Sequence, residues 1–206
     1  MSKHKYSIFL KGKPGRRQMP ITVFSIKIKI DMQKLSVEEL LAQYAGGKRD
    51  FEQVDLSEAY LFEVDLRQIN LKNSNLRAAY LPYANLSQAI LQAANLQDAQ
   101  LGDIQLYQVD LSFANLKGAN LSRANLRYAN LRGANLQGAN LYGADLCYAD
   151  LSEADLSKAD LRAANLEEAN LELALLVGSN LYRAQNADWS KAVCDRTTTF
   201  PDGYGE

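Results

Sequence analysis

The sequence predicts an all-β solenoid, in which the chain winds in stacked coils around a thin apolar core. From Leu56 to Leu181 a leucine occupies every fifth position, 26 leucines in all, and Phe51 stands one step earlier in the same register. The residue two places before the leucine is alanine in 19 of these repeats, and the residue one place before it is asparagine or aspartate in 20. The repeating unit is therefore A-[ND]-L-x-x, with two variable positions after the leucine.

A period of five residues matches neither a regular helix nor a flat strand. In an α-helix five residues advance by about 500°, so the leucines would spiral around the surface. In a flat strand an odd period sends successive leucines to opposite faces. If the chain turns a corner once per repeat, the leucine and the alanine two places before it point to a common axis, while the other positions point outward. The predicted core includes Phe51, Leu56, Leu96, Leu126, Ala134, Leu136 and Leu156.

This repeat block resembles the pentapeptide-repeat proteins, and in particular their cyanobacterial members. The resemblance covers Phe51 to about Leu181, which is 27 consecutive units. It implies a right-handed quadrilateral (four-sided) parallel β-helix with a short N-terminal capping α-helix and four repeats per coil. At roughly 4.8 Å between stacked strands, nearly seven such coils make a rod about 32 Å long.

The chain is expected to divide into four segments. Residues 1–31 form a basic N-terminal extension, residues 32–50 a capping helix and linker, residues 51–185 the β-helix, and residues 186–206 a C-terminal cap. Caps are expected because an open coil exposes core side chains and strand edges.

The capping helix is predicted from local signals. Ser36 and Glu39 have the spacing of a capping box, Leu40 and Tyr44 share one apolar face, and the pair Gly46-Gly47 ends the helix. At the other end of the rod the leucine register breaks at Asn186. The residues expected to cover the last coil there are Trp189, Val193 and Phe200.

The first fifty residues carry eleven Lys/Arg and four Asp/Glu. We expect a solvated tail, with contact to nucleic acid or anionic lipid as the alternative. No secretory signal or membrane span is expected, which predicts a cytoplasmic protein. Exposed strand edges leave a monomer and an end-to-end dimer open.

No catalytic, cofactor or metal site is predicted. The chain has one histidine and two cysteines, Cys147 and Cys194, and the former is expected to face outward. In a four-sided coil, successive outward carboxylates point in four directions, so they do not converge on a substrate or a metal ion. These carboxylates belong to Asp145, Asp150, Asp155 and Asp160. The glycines at the second variable position are expected to ease corners.

The outward aromatic side chains are distributed unevenly when they are sorted by position modulo twenty. One side carries Tyr60, Phe62, Tyr80, Tyr83, Tyr142 and Tyr182, the next side carries Tyr107, Tyr128 and Tyr148, and the remaining two sides together carry only Phe113. With arginines such as Arg127 among them, these residues have the composition of an interaction surface.

Two functions are compatible with these features. The first is a non-enzymatic scaffold or regulator that binds an unidentified protein partner through the aromatic sides. The second function, which the resemblance to pentapeptide-repeat proteins implies, is mimicry of DNA to modulate a type II topoisomerase, as some members of that family do. Those members are strongly acidic, whereas residues 51–185 hold 16 acidic and 10 basic residues, so mimicry is the alternative. A structural role without a dedicated partner is also left open.

Overall fold

The computed structural model describes residues 32–204. In most repeats the chain turns a corner through one hydrogen-bonded turn, in which the backbone N–H of Ala59, for example, donates to the carbonyl of Leu56 at 3.1 Å. The second variable residue of every repeat from Gln53 to Arg183 has a positive φ, as type II turns require at this position. Five of these positions hold glycine, and the other side chains accept the left-handed conformation, which costs roughly 1–2 kcal/mol each.

Successive coils are joined by parallel bridges between residues twenty positions apart, such as Asn120 with Asn140. Each bridge is completed by backbone hydrogen bonds, and the N–H of Leu121 donates to the carbonyl of Asn140 at 2.7 Å. Four columns of bridges therefore run along the rod, one for each of the four repeats in a coil. Most bridges involve a single residue per repeat, so the longer strands are only β1 (Gln33–Lys34) and β2 (Val54–Asp55), which pair in parallel within the described residues.

The core is a column of leucines flanked by small residues. Every central leucine from Leu56 to Leu181 is at most 3% exposed, Phe51 is 2% exposed, and Ala134 is 1% exposed. The other leucines of the predicted core, at positions 96, 126, 136 and 156, are buried in the same column. The asparagine or aspartate before each leucine is mostly half-buried, because its side chain lies along the neighbouring coil.

Helix α1 (Val37–Ala45) covers the start of the rod. Ser36 is its N-cap: the Ser36 hydroxyl accepts the backbone N–H of Glu39, and the Glu39 carboxylate accepts the backbone N–H of Ser36. Leu40 is fully buried against the first coil, and the half-buried Tyr44 donates from its hydroxyl to the carbonyl of Arg67 at 3.0 Å. Gly46 forms the C-cap.

The C-terminal residues continue the stack as a shorter, irregular coil. Leu175 pairs with Val193 and Asn180 pairs with Thr199, so the offset falls from twenty residues to eighteen and nineteen. Phe200 is buried, and its ring centroid lies 5.3 Å from that of the half-buried Trp189. The expectation that Val193 covers the last coil is wrong: Val193 occupies a bridging position, points outward and is 45% exposed.

Cys147 faces away from the leucine column, as expected, but it is not exposed to solvent, because its Sγ atom lies beside the outward side chains of Asn165 and Glu167. Its side chain is fully buried although it occupies the first variable position. Residues at this position lie close to the neighbouring coils, so a small side chain there is covered by longer ones; Gly102 and Ser112 are buried in the same way.

The predicted basic extension, residues 1–31, and the last two residues of the predicted C-terminal cap lie outside the described residues. Among residues 32–204 no helix is long and apolar enough to cross a membrane.

Candidate interaction surface

Four aromatic rings on the first two coils form one contiguous patch, the proximal cluster: Tyr60, Phe62, Tyr80 and Tyr83. Tyr60 and Tyr80 bridge adjacent coils, and their rings stack with centroids 5.1 Å apart and an interplanar angle of 11°. Phe62 packs between this pair and Tyr83, which meets it edge-on at 5.8 Å. Tyr60 is nevertheless 66% exposed and Tyr83 is 54% exposed. The rings therefore hold one another while presenting apolar surface to solvent.

A second group, the distal stack, consists of Tyr107, Tyr128 and Tyr148. The rings of Tyr128 and Tyr148 stack with centroids 5.0 Å apart and an interplanar angle of 4°, because the two residues stand one coil apart at the same position. Tyr107 meets Tyr128 edge-on at 5.7 Å. The Arg127 guanidinium lies 5.9 Å from the Tyr128 ring and pairs with the Asp145 carboxylate at 3.2 Å.

The other two predicted aromatics, Tyr142 and Tyr182, have no ring neighbour among the described residues. Each is accompanied by an arginine instead: the Arg162 guanidinium lies 5.7 Å from the Tyr142 ring, and the Arg183 guanidinium lies 5.1 Å from the Tyr182 ring. The nine aromatics selected from the sequence thus separate into a cluster of four, a stack of three and two single rings.

The outward carboxylates stabilise the turns of the coils. The Oδ1 atoms of Asp145, Asp150, Asp155 and Asp160 each accept the backbone N–H two residues further along the chain. The Arg162 guanidinium holds the pKa of the Asp160 carboxyl below its ordinary value. No group of three or more candidate metal ligands occurs within residues 32–204.

Cys147 lies in a polar environment but is not poised as a nucleophile. The side-chain amide of Asn165 donates to its Sγ atom at 2.8 Å. Burial, followed by interactions with Asp145, raises the pKa of the thiol to about 11. A thiol with this pKa stays protonated near neutral pH, whereas the thiolate is the reactive form.

One concave site beside the capping helix, which we call the cap pocket, is not predicted from the sequence. It is lined by Tyr44, Arg49, Arg67, Gln68 and Gln88. Sorting residues modulo twenty places Gln68 and Gln88 in one column, together with Gln108. The approach of Tyr44 and Arg49 follows from how α1 lies on the coils, and the sequence carries no signal for that placement.

Comparison with known proteins gives a consistent result. The sequence matches the family described as pentapeptide repeats, with 8 copies over residues 49–77, 69–103, 104–141, 124–162, 139–178 and 154–185. A comparison with curated proteins gave no match.

Several solved structures are similar to this chain. One is HetL, a pentapeptide repeat protein involved in heterocyst differentiation regulation from the cyanobacterium Nostoc. The two sequences are 30% identical, the match covers 84% of this chain and 100% of HetL, and the TM-score is 0.37. Another is Rfr23 from the cyanobacterium Cyanothece, which is 25% identical in sequence. The match covers 68% of this chain and 90% of Rfr23, with a TM-score of 0.27. A third is QnrB1, a plasmid-mediated fluoroquinolone resistance protein, which is 20% identical in sequence. The match covers 71% of this chain and 79% of QnrB1, with a TM-score of 0.43.

Proposed function

The chain belongs to the pentapeptide-repeat family, and we propose that it is a non-enzymatic scaffold or regulator that binds a partner protein through the aromatic residues on its outer sides. We also infer that its coils are right-handed and quadrilateral, as expected for the family. The four columns of bridges, with twenty residues per coil, support the four-sided shape, and the right-handedness rests on membership of the family.

The proximal cluster is the observation that carries the proposed function. Exposed aromatic patches on soluble proteins are typical of interaction sites, and tyrosine is enriched among the residues that dominate binding energy. In this cluster the rings contact each other across adjacent coils, as in the Tyr60–Tyr80 stack. A partner would therefore meet side chains that have already lost much of their rotamer freedom, which lowers the entropic cost of association.

The charges around the cluster are balanced. The side of the rod that bears it holds three acidic residues, at positions 63, 103 and 160, and three arginines, at positions 123, 162 and 183. Two of these arginines are neutralised within the rod, because Arg123 pairs with Asp103 and Arg162 pairs with Asp160. An electrically neutral side with clustered aromatic rings suits a protein surface better than it suits a polyanion.

The test compares capture of partner proteins from a lysate of the source organism by wild type and by the triple variant Tyr60→Ser/Tyr80→Ser/Tyr83→Ser. These side chains are largely outside the core, so the folds should match by circular dichroism and thermal unfolding. The matched control is Phe113→Ser, which removes an aromatic residue that is 57% exposed on another side of the rod. We expect a protein retained by wild type and by the control and lost by the triple variant.

A parallel variant, Tyr107→Ser/Tyr128→Ser/Tyr148→Ser, tests the distal stack in the same experiment. Loss of the partner in this variant alone would move the binding site to the distal stack. Equal retention by all four proteins would contradict binding through the aromatic sides.

The excess of acidic residues is the observation that favours the alternative, mimicry of DNA towards a type II topoisomerase. Residues 51–185 hold 16 acidic and 10 basic residues, a net charge of −6. Five ion pairs place guanidinium groups among the carboxylates, so this negative charge is interrupted along the rod. Inhibition of gyrase supercoiling at micromolar protein would establish this alternative, and full gyrase activity at high micromolar protein would remove it.

A further inference from the structure

The cap pocket is a polar concavity of about 210 Å³ between the end of α1 and the first coils. It has room for several water molecules. The pocket is therefore large enough for a small anionic group with some of its hydration. Two of its five lining residues are arginines: Arg49 lies in the linker after α1, and Arg67 lies in the first coil.

Arg49 is held in place by contacts that leave part of its guanidinium unused. Its guanidinium carbon lies 3.8 Å from the centroid of the Tyr44 ring, and its Nη1 atom donates to the carbonyls of Tyr44 and Lys48 at 2.8 and 3.0 Å. A guanidinium has five N–H donors. Within residues 32–204 the Nε and Nη2 groups of Arg49 make no hydrogen bond, so one edge that suits bidentate recognition of an oxyanion is available.

Arg67 is fixed by a different set of contacts. Its Nε and Nη2 atoms donate to the Asp65 carboxylate at 2.9 and 2.7 Å. The Tyr44 hydroxyl donates to the backbone carbonyl of Arg67, which ties this residue to the capping helix. The Nη1 group of Arg67 makes no hydrogen bond to any described residue. With Asp65 counted, the two guanidinium groups leave a net charge of +1 at the pocket.

A ladder of amides forms another part of the lining. The Gln68 side chain donates to the Oε1 atom of Gln88 at 3.0 Å, and Gln88 donates in turn to Gln108 at 3.1 Å. These bonds fix the orientation of both glutamine side chains in the pocket. Fixed polar groups cost less entropy on binding than mobile ones do.

We propose that the cap pocket is a binding site for an oxyanion, the phosphate or carboxylate group of a small ligand, held between the free Nε and Nη2 groups of Arg49 and the free Nη1 group of Arg67, beside the Gln68 amide. Charge-assisted hydrogen bonds from guanidinium groups are the strong interactions for such a group. The site is independent of the aromatic clusters, and it exists only where α1 lies against the first coils.

The experiment is a titration of the isotope-labelled full chain with sodium phosphate, followed by the backbone amide resonances in NMR spectra. Sodium chloride keeps the ionic strength constant, so that screening does not change. We expect saturable shifts at Arg67, Gln68 and Gln88 and no comparable shifts at the far end of the rod. A parallel titration with sodium acetate distinguishes the two sources: tighter phosphate binding indicates a phosphorylated ligand, and tighter acetate binding indicates a carboxylate ligand.

Arg162 provides the matched control, because it contacts Asp160 with the same spacing and nearly the same distances as Arg67 contacts Asp65. Arg67→Gln should weaken binding about tenfold, whereas Arg162→Gln, which removes the same charge outside the pocket, should bind as wild type does. Gln68→Ala retains both arginines and should weaken binding about threefold, so the test does not rest on one variant.

Shifts that grow linearly with both anions, without saturation, would overturn the proposal. Equal phosphate affinities for the Arg67→Gln and Arg162→Gln variants would also overturn the proposal, since binding would then reflect the overall charge of the protein.

Discussion

The side-chain amide of Asn95 donates a hydrogen bond to the Oδ1 atom of Asn75, one coil earlier, at 3.2 Å. The same contact links Asn115 to Asn95 at 3.1 Å and Asn75 to Asp55 at 2.8 Å. The ladder has a direction, because each amide donates towards the N-terminal end of the rod and each oxygen accepts from the next coil. A carboxylate can begin such a ladder, as Asp55 does, but it cannot continue one.

Replacing Asn95 by aspartate should therefore destabilise the rod at neutral pH. The new carboxylate would place an acceptor against the Oδ1 atom of Asn75, and the lost bond should cost about 1–2 kcal/mol of unfolding free energy. Acidification should restore part of the lost unfolding free energy, because a protonated carboxyl at position 95 can again donate a hydrogen bond to the Oδ1 atom of Asn75. Urea unfolding of Asn95→Asp at pH 7 and pH 4 measures both effects. Asn73→Asp, which lies outside the ladder, is the control, and equal losses in the two variants would show that the ladder is not the cause.

Gly138 shows the cost of a left-handed backbone without any steric complication. Its φ is +66°, and an added Cβ would meet nothing within 4 Å. Gly138→Ala should lower the free energy of unfolding by roughly 1 kcal/mol. The comparison is Gly102→Ala: Gly102 has no positive φ and an added Cβ would be in ordinary contact with Ser122, so this change should be neutral or slightly stabilising. Chemical denaturation measures the free energy of unfolding of both variants. Equal free energies for the two variants would contradict a cost of the left-handed backbone and would show that the turn at Gly138 relaxes.

The small residue beside each leucine sets the width of the core. Ala134 is 1% exposed, so Ala134→Leu would add three carbon atoms to a closed axis and should cost about 1–3 kcal/mol. Ala93→Leu makes the same change at an exposed second variable position. The repeat accepts leucine at the equivalent position of another coil, where Leu173 stands. Thermal unfolding should show a clear drop for Ala134→Leu alone. A similar drop for both variants would contradict overpacking as the cause.

Asp103 and Arg123 join two coils through a bidentate ion pair with contacts of 2.8 and 2.6 Å. The hydrogen bond from Arg123 lowers the pKa of the Asp103 carboxyl below its ordinary value of 3.8. The pair therefore stabilises the fold fully above about pH 4, and this contribution is lost as the pH falls through the lowered pKa.

We expect Asp103→Asn to lose about 0.5–1 kcal/mol at pH 7, since both partners are at the surface, and to match wild type in stability at acidic pH. A double-mutant cycle with Arg123→Gln, measured by urea unfolding across this pH range, isolates the pair. A coupling energy that is zero at pH 7, or that does not change with pH, would rule out this account.

Cys147 should resist alkylation in the folded protein. Its side chain is fully buried, and the pKa of the thiol is raised to about 11. Iodoacetamide at pH 8, followed by peptide mass spectrometry, should modify the half-buried Cys194 faster than Cys147, and urea should remove the difference. Faster modification of Cys147 would show that its coil opens readily.

The five-residue period explains how much of the fold the sequence predicts. Leucine at every fifth position has one simple arrangement, in which every repeat turns a corner and buries the same two positions. The pattern does not reveal how a small side chain is covered, and for this reason it predicts a surface position for Cys147. It also does not show that residues after Asn186 continue as a shorter coil, because the leucine signal stops where that coil begins.

The candidate surface depends on neighbours that are twenty residues apart. Sorting by position indicates that Tyr128 and Tyr148 can stack, but the edge-on contacts of Tyr83 and Tyr107 depend on rotamers that only packing selects.

The amino-acid pattern alone specifies the solenoid and its apolar axis, because both follow from a local unit repeated 27 times. Three-dimensional packing decides which aromatic rings touch and brings Arg49 and Arg67 to the lining of one pocket. Ring contacts depend on the register between coils, and the cap pocket depends on how α1 packs against them. Both arise from contacts between distant segments, and a five-residue repeat does not encode those contacts.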